Sequence, residues 1–490
     1  MSYQTDTDGQ VNPETQLTIT SERVDDVALL IGQMKLMGLP QVLDKHIPGH
    51  WKQRELSWGW TAVLWLAYVL SEGDHRKVSV QEYIKGMKNT LKRLTGQEID
   101  ELDFTDDRLG RVLKYLSQEE YWHSIENELN ERTIRVYDIP TDVARCDSTT
   151  VSGYHQEGEG TLFQFGHSKD DPALPQIKVM IGTLDPLGMP LATDVVSGER
   201  ADDGLYVPII ERIHKALEKE GMLYVGDCKM SALDTRLHIR WRKSHYLCPL
   251  PLTGNTAEEM PEWIRKGVLK DKRGELTNVY VENNKDSKVL AAKGYEIERT
   301  QSGSINGEEI KWTERVLILR SLSYADQKKK GLEKRLENAQ KKISALTPER
   351  GRGKKQITDE QVLKESVEKI VRKYKVEGLL DWAYEKEEEK KTKYVGQGRG
   401  SKNREKKVIE KVRYQITEVR KNKEKIEEEK EKFGWKVYVT DTGKEQLCLS
   451  DAVRCYRKEY RVEHVFNRLK SRLDIAPLFV KRNDQKSRAD

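Results

Sequence analysis

Three acids stand where chemistry can be done. Asp147 closes the run Val143-Ala-Arg-Cys-Asp, and Asp227 closes Leu223-Tyr-Val-Gly-Asp, each at the end of a strand-like segment. Glu463 lies in a stretch with helical spacing. Carboxylates placed on strand, strand and helix are hard oxygen ligands of the kind that hold Mg2+ or Mn2+. Two such ions, about 3.5–4 Å apart, serve the attacking and the departing oxygen in phosphodiester chemistry. That chemistry needs no covalent enzyme intermediate, so it does not require a Ser/His/Asp set.

The stretch around Glu463, from Tyr456 to Lys470, contains neither Pro nor Gly. Val462, Val465, Phe466, Leu469 and Leu473 form one apolar stripe at helical spacing, which predicts a helix packed on a core. Tyr456, Glu459, Tyr460, Glu463, Asn467 and Lys470 form a second stripe beside it. Glu459 and Glu463 are four apart on that face, where like charges cost about 0.2–0.5 kcal/mol. A solvated charged face is the plain explanation; the two upstream aspartates weigh against it.

Taken together, these residues resemble the DDE transposases of bacterial insertion sequences. The similar branch has the signature Tyr, two residues, Arg, three residues, Glu, six residues, Lys. Tyr456, Glu463 and Lys470 match its spacing, and Glu459 stands where the signature has Arg. The resemblance runs from about residue 27 to 478. It implies a ribonuclease-H-like catalytic core that performs metal-dependent cleavage and strand transfer at element ends, by cut-and-paste. It further implies two Mg2+ or Mn2+ ions held by Asp147, Asp227 and Glu463, with Tyr456 and Lys470 against DNA. Gly166-His-Ser-Lys-Asp-Asp-Pro resembles the family's linker after the first strand, which makes Lys169 a phosphate candidate; a solvated connection is the plain alternative. The partners implied are terminal inverted repeats, target DNA and a second copy in a homodimer, in a cytoplasmic, nucleoid-associated setting. Glu459 should repel phosphate where the signature's Arg would hold it. The alternative expectation is an impaired or truncated transposase-derived DNA-binding protein, because only about seventeen residues follow Leu473. A repair nuclease with the same core is disfavoured by the helical front and the large insertion.

The elements that must position these acids give an α/β (mixed α+β) expectation. Residues 1–23 are polar and read as a flexible N-terminus. Residues 24–136 have helical periodicity and five of the ten tryptophans, so they predict a domain with its own core. It can bind element ends or serve as a structural bundle. Ser117-Gln-Glu-Glu reads as a capping box. Residues 137–250 read as the first part of the core: a strand with Asp147, a hairpin turning at Asp185-Pro-Leu-Gly, a helix and a strand ending at Asp227. Asp227 and Glu463 are too far apart for a core alone, so residues 251–432 predict an insertion domain, β-rich and then helical. Its charged helices are expected to about Leu346, from about Asp359 to Lys375 and from about Lys402 to Lys432. Residues 433–490 return to the core with the Glu463 helix.

Composition removes several classes. The charged share is 34% against 36% hydrophobic, so part of the chain is solvated, yet the net charge is only +5. Five cysteines without a Cys-x-x-Cys pair argue against a disulfide framework and against a zinc module. The glycine-rich pieces at 350–355 and 396–402 lack the Gly-Lys-Ser/Thr ending of a P-loop. The run from Trp58 to Leu70 is shorter than the roughly 20 residues a bilayer needs, so no membrane partner is expected.

Overall fold

The computed structural model describes residues 21–49, 56–155, 161–282, 287–351, 353–394 and 406–473. Most of the N-terminus read as flexible, the glycine-rich piece at 396–402 and the sequence after Leu473 lie outside them. In chain order the helices and strands begin with α1 (Val27–Leu36), α2 (Leu39–His46), α3 (Trp58–Glu72), α4 (Lys77–Gly86), α5 (Lys88–Thr95), α6 (Asp106–Leu116) and α7 (Glu119–Tyr137). Then come β1 (Val143–Ser152), β2 (Gln176–Leu184), β3 (Met189–Ser197), α8 (Tyr206–Leu217), β4 (Leu223–Gly226), α9 (Leu233–Trp241) and β5 (His245–Pro249). The next are α10 (Gly254–Arg273), β6 (Thr277–Glu282), β7 (Lys288–Ile305), β8 (Glu308–Ser321), α11 (Leu322–Ser344) and α12 (Glu360–Tyr374). The last are β9 (Leu380–Tyr394), β10 (Lys406–Lys421), α13 (Lys423–Glu431), β11 (Trp435–Thr440), α14 (Leu449–Tyr456) and α15 (Tyr460–Asn467). Contacts divide the chain into two compact units. One comprises Met1–Tyr246, Gly303–Ile310 and Arg457–Asp490; the other comprises Leu247–Ser302 and Lys311–Tyr456.

In the first unit, α1–α7 enclose a core that includes Val27, Ile31, Val42, Val63, Leu64, Ile84, Phe104 and Val112. The sequence of α3 is apolar on every side, so the helix is buried on most of them. Ser57 caps its first turn by accepting from the Trp60 amide, and Gly73 ends it in the left-handed conformation. The capping box read at Ser117 does not form. The Ser117 hydroxyl donates back to the Lys114 carbonyl at 2.8 Å, and Gln118 takes the cap position without a side-chain bond.

The sheet of this unit runs β3-β2-β1-β4. β2 pairs antiparallel with both β3 and β1, whereas β1 and β4 are parallel. Every residue of β2 is buried, because helices cover both of its faces. On one face, Gly182 admits Ile213 of α8; a Cβ there would sit 2.4 Å from the Ile213 Cδ1. On the other, Val462 and Phe466 of α15 pack with Val151, Ile177, Val179 and Ile181. α7 meets β3, where the Asn130 amide donates to the Leu191 carbonyl at 2.6 Å.

The second unit has its own run of strands, β5-β11-β8-β7-β6. The β7–β8 turn, in the Gly303–Ile310 segment that belongs to the first unit, uses Asn306 and Gly307, both at positive φ, as a two-residue hairpin requires. A separate core joins α11 and α12 through Leu332, Leu336, Ile343, Leu363 and Val367. The helix expected from about Lys402 to Lys432 is mostly a strand: β10 pairs antiparallel with β9, and only α13 is helical. Lys and Glu dominate that segment, but Val408, Val412, Tyr414 and Ile416 recur at even positions, and this period-2 pattern of strand formers prevails. Among the described residues no helix is long and apolar enough to cross a membrane.

Tyr456 to Lys470 is not one α-helix. α14 ends at Tyr456, Arg457–Glu459 form a 3-10 turn, α15 follows, and Arg468–Arg472 form a π turn. Each piece satisfies helical spacing on its own, so spacing carries no signal for the breaks.

Candidate active site

The β1–β4 register fixes the first two acids. Cys146 is level with Gly226, the last pair of the parallel ladder, so Asp147, midway along β1, and Asp227, just past the end of β4, stand at one level. The strand end expected at Asp147 is not there, because β1 continues to Ser152 against β2. Parallel neighbours are about 4.8 Å apart. The carboxyl ends of parallel strands are where open α/β sheets place ligand sites. Glu463 is exposed on α15 while its neighbour Val462 is fully buried against β2, so the packing of α15 turns the acid outward.

Asp227 is held by its Oδ1, which accepts from the Tyr206 hydroxyl at 2.7 Å and from the Lys229 amide at 2.8 Å. The residue before it must be small. A Cβ at Gly226 would lie 2.8 Å from the Met230 sulfur and 3.0 Å from Tyr206 Cε1, closing the path by which Tyr206 reaches Asp227. Burial, with the charges of Asp227 and Asp147 beside it, raises the Tyr206 phenol well above its ordinary range, so it stays a donor.

Burial pushes the Asp147 carboxyl up to about 6; Lys169 and the Ser148 amide pull it down, while Asp227 and Glu463 add to the rise. Glu459 behaves alike. Burial pushes it up to about 7, Arg145 opposes, and Asp147, Asp227 and Glu463 add to the rise. Four acids therefore share one electrostatic environment and repel one another. A divalent cation relieves such repulsion, and by charge and hardness the donor set fits Mg2+ or Mn2+. Among the described residues no three His, Cys, Asp or Glu side chains are gathered closely enough to hold a metal ion as they stand. The backbone positions of Asp147 and Asp227 are set by the β-register.

The other residues singled out in the sequence fall in different places. Lys169 Nζ is 3.8 Å from Asp147 and also donates to the Ser148 carbonyl, and the Lys169 amide donates to Thr150 at 2.9 Å. The loop after β1 is thus pinned along the strand that carries Asp147. Lys470 Nζ meets both oxygens of Asp170 in that loop, at 2.9 and 2.8 Å. Tyr456 belongs to the second unit, where its ring lies 4.7 Å from that of Tyr438. Cys146 is a fully buried packing residue whose thiol burial pushes up.

Three participants escaped the sequence reading of the site: Tyr206, Arg145 and Asp185. Arg145 is fully buried on β1, two residues before Asp147, and donates to Asp185 through Nε at 2.9 Å and Nη2 at 2.8 Å. Its Nη1 is 3.5 Å from Glu459. Asp185 also pairs with Arg461 at 3.1 Å. Burial pushes the Asp185 carboxyl up, but Arg145 and Arg461 outweigh it and hold the group below its ordinary range. The visible signal was an Arg inside an otherwise buried strand, because a buried charge must be paired.

Residues 19–127 match the family model described as a domain of unknown function, DUF4277, which covers the helical front of the chain. No curated protein matches the chain. Among solved structures, the chain is similar to a chain of the piggyBac transposase synaptic complex with hairpin DNA, determined by cryo-EM. That similarity has 10% identity and a TM-score of 0.25, and covers 63% of this chain and 52% of that one. This chain therefore spans about half the length of the solved chain it matches.

Proposed function

We propose that this protein is a DDE-type transposase that cleaves DNA at the ends of an insertion element and joins them to a target, acting as a homodimer on DNA. The observation that carries the reading is the placement of Asp147 and Asp227 at one level on parallel strands, in a shared repulsive field with Glu463. The antiparallel hairpin, the helix and the parallel strand that precede Asp227 also support a ribonuclease-H-like core. Asp147, Asp227 and Glu463 would hold divalent cations. When bound, such ions supply a Lewis acid for the phosphate and lower the pKa of an attacking water or 3′-hydroxyl.

The chain's own residues do the positioning. Tyr206 and the Lys229 amide fix one oxygen of Asp227, so its carboxylate plane is set before any ligand arrives. Lys169 stands beside Asp147 and Lys470 meets Asp170 in the loop after β1, so each is already paired with a carboxylate of this chain. DNA phosphate would compete with Asp147 for Lys169 and with Asp170 for Lys470. Tyr456 would stack on or touch DNA from its place at the end of α14.

The Lys169–Asp147 pair favours a second reading, a DNA-binding relative that has lost the reaction, because the ammonium already stands near Asp147. One assay separates the two. The full chain is incubated with duplexes carrying the element's inverted repeats, in Mg2+ or Mn2+, beside Asp147→Asn. Metal-dependent nicking at the repeat ends that the variant lacks supports the transposase. Specific binding with no cleavage in either protein leaves the DNA-binding relative.

A further inference from the structure

Four charges form an alternating chain that begins on the first turn of α15 and ends on Glu459, the residue just before it. Arg461 pairs with Asp185, Asp185 with Arg145, and Arg145 with Glu459. Asp185 is its centre. It stands just after β2 in the β2–β3 turn, and it grips one arginine from the strand of Asp147 and one from the helix of Glu463. Arg145 is two residues before Asp147, and Arg461 is two residues before Glu463. A strand repeats every two residues, so Arg145 and Asp147 share a face of β1. The turn is packed closely enough to transmit the tie: a Cβ at Gly188 would lie 3.4 Å from the Arg461 carbonyl oxygen.

We propose that Asp185 is a positioning residue for the acid site. Through Arg145 and Arg461 it sets the spacing between the strand that bears Asp147 and the helix that bears Glu463. The inference rests on the transposase reading, since it assumes that those two acids act together. It also gives Glu459 a duty. Where the family signature has Arg, this chain has an acid, and the matching arginine comes from inside β1. Groups that orient metal ligands from behind change metal affinity when lost, typically by about 10- to 100-fold.

The test uses the full chain and Mn2+ as the probe, with binding followed by electron paramagnetic resonance in wild type, Asp147→Asn, Asp185→Asn, Arg461→Gln and Arg461→Lys. The expected result is Asp147-dependent binding that Asp185→Asn and Arg461→Gln each weaken by about 10- to 100-fold. Arg461→Lys should retain most of the affinity. The double variant Asp185→Asn/Arg461→Gln should be little worse than Asp185→Asn alone, because both cut one tie. Arg461→Gln leaves the buried Arg145–Asp185 pair intact, so it serves if Asp185→Asn fails to fold. A second readout needs no metal: amide hydrogen exchange in α15 should quicken in Asp185→Asn relative to β2. Unchanged Mn2+ affinity in both single variants overturns the inference and leaves the transposase reading standing. Mn2+ binding that does not depend on Asp147 overturns that reading and takes the inference with it.

Discussion

In the second unit Glu314 is fully buried and meets Arg299 at 2.6 Å, while the neighbouring buried Arg315 meets Glu296 and donates to the Thr442 and Leu447 carbonyls at 2.9 and 2.8 Å. In the first unit Asp147, Asp227, Glu459 and Glu463 act on one another as like charges, and the cations nearest to them are Lys169 at 3.8 Å and Arg145 at 3.5 Å. Burial acts on Glu296 too, yet Lys444 and Arg315 pull its carboxyl below the ordinary range, whereas Asp147 and Glu459 remain raised. Charge buried and balanced at short range is architecture. Charge gathered and left repelling is maintained at a cost, and perturbed groups in such a cluster are candidates for a functional site.

The contrast is broken or kept by substitution. Asp147→Asn, Asp227→Asn and Glu463→Gln should each lower the cleavage rate by about 100- to 1,000-fold, the scale of losing one preorganised electrostatic contact in a transition state. DNA binding should be nearly unchanged. Single-turnover cleavage of end-containing duplexes measures the first and a binding isotherm the second. A variant that keeps substantial cleavage removes its residue from the site. Glu314→Gln in the second unit is the counterpart. It removes the buried carboxylate from Arg299, which is partly exposed and keeps Glu259 at 3.8 Å, so it should cost about 1–3 kcal/mol of stability and leave Mn2+ affinity in the first unit unaltered. Denaturant unfolding and Mn2+ titration check both halves.

Asp147→Asn should have the opposite effect on stability. The carboxyl moves from an ordinary value of 3.8 to about 6 on folding. A raised folded value means that the protonated form favours the fold: the contribution is complete below about pH 4 and is lost as pH rises through about 6. In metal-free buffer at pH 7.5, the neutral amide should therefore be more stable than the wild type by about 2–3 kcal/mol. The variant's stability should also lose part of its decline between pH 4 and 6. Melting curves in a chelator across that range give the answer. A variant that loses activity while gaining stability is what a site held at a cost predicts, and equal stability would place Asp147 with the balanced charges.

Much of this arrangement was legible because local patterns end where the chemistry begins. Asp227 closes a run of strand formers, whereas β1 runs on past Asp147 to Ser152, and the apolar stripe of Val462 and Phe466 gives the face that α15 buries. What was not legible depends on contacts that cross the sequence. Lys470 and Asp170 are 300 residues apart and no short-range pattern joins them. Asp185 is an ordinary turn residue by type, and nothing local says that it also receives two arginines. Tyr206 opens α8 as an apolar residue would, and only the fold brings its hydroxyl to Asp227. Glu459 illustrates the limit most clearly. Against the signature it is a wrong-signed substitution, but beside Arg145 it is a pair, so Glu459→Arg would set two guanidinium groups together rather than restore the family pattern.

The smallest effect probes the edge of the cluster, where repelling acids give way to paired charge. Lys470 Nζ lies within 3 Å of both Asp170 oxygens, and the two side chains are 28% and 38% exposed. Ion pairs this open are worth about 0–1 kcal/mol, so phosphate can displace the carboxylate at little cost. Asp170→Asn removes the competitor and keeps the shape. It should tighten binding to duplex DNA by about two- to fivefold, within the roughly 1 kcal/mol such a pair is worth. If Lys470 gains a full phosphate contact, the dependence of log affinity on log salt should steepen by about 0.9. Lys470→Ala should move both quantities the other way, and Asp170→Asn added to it should do nothing further. Fluorescence anisotropy on one duplex, titrated at several salt concentrations, reads all four proteins. If Asp170→Asn leaves affinity and salt slope unchanged, Lys470 does not face the phosphates, and the pair belongs with the architectural charges of the second unit.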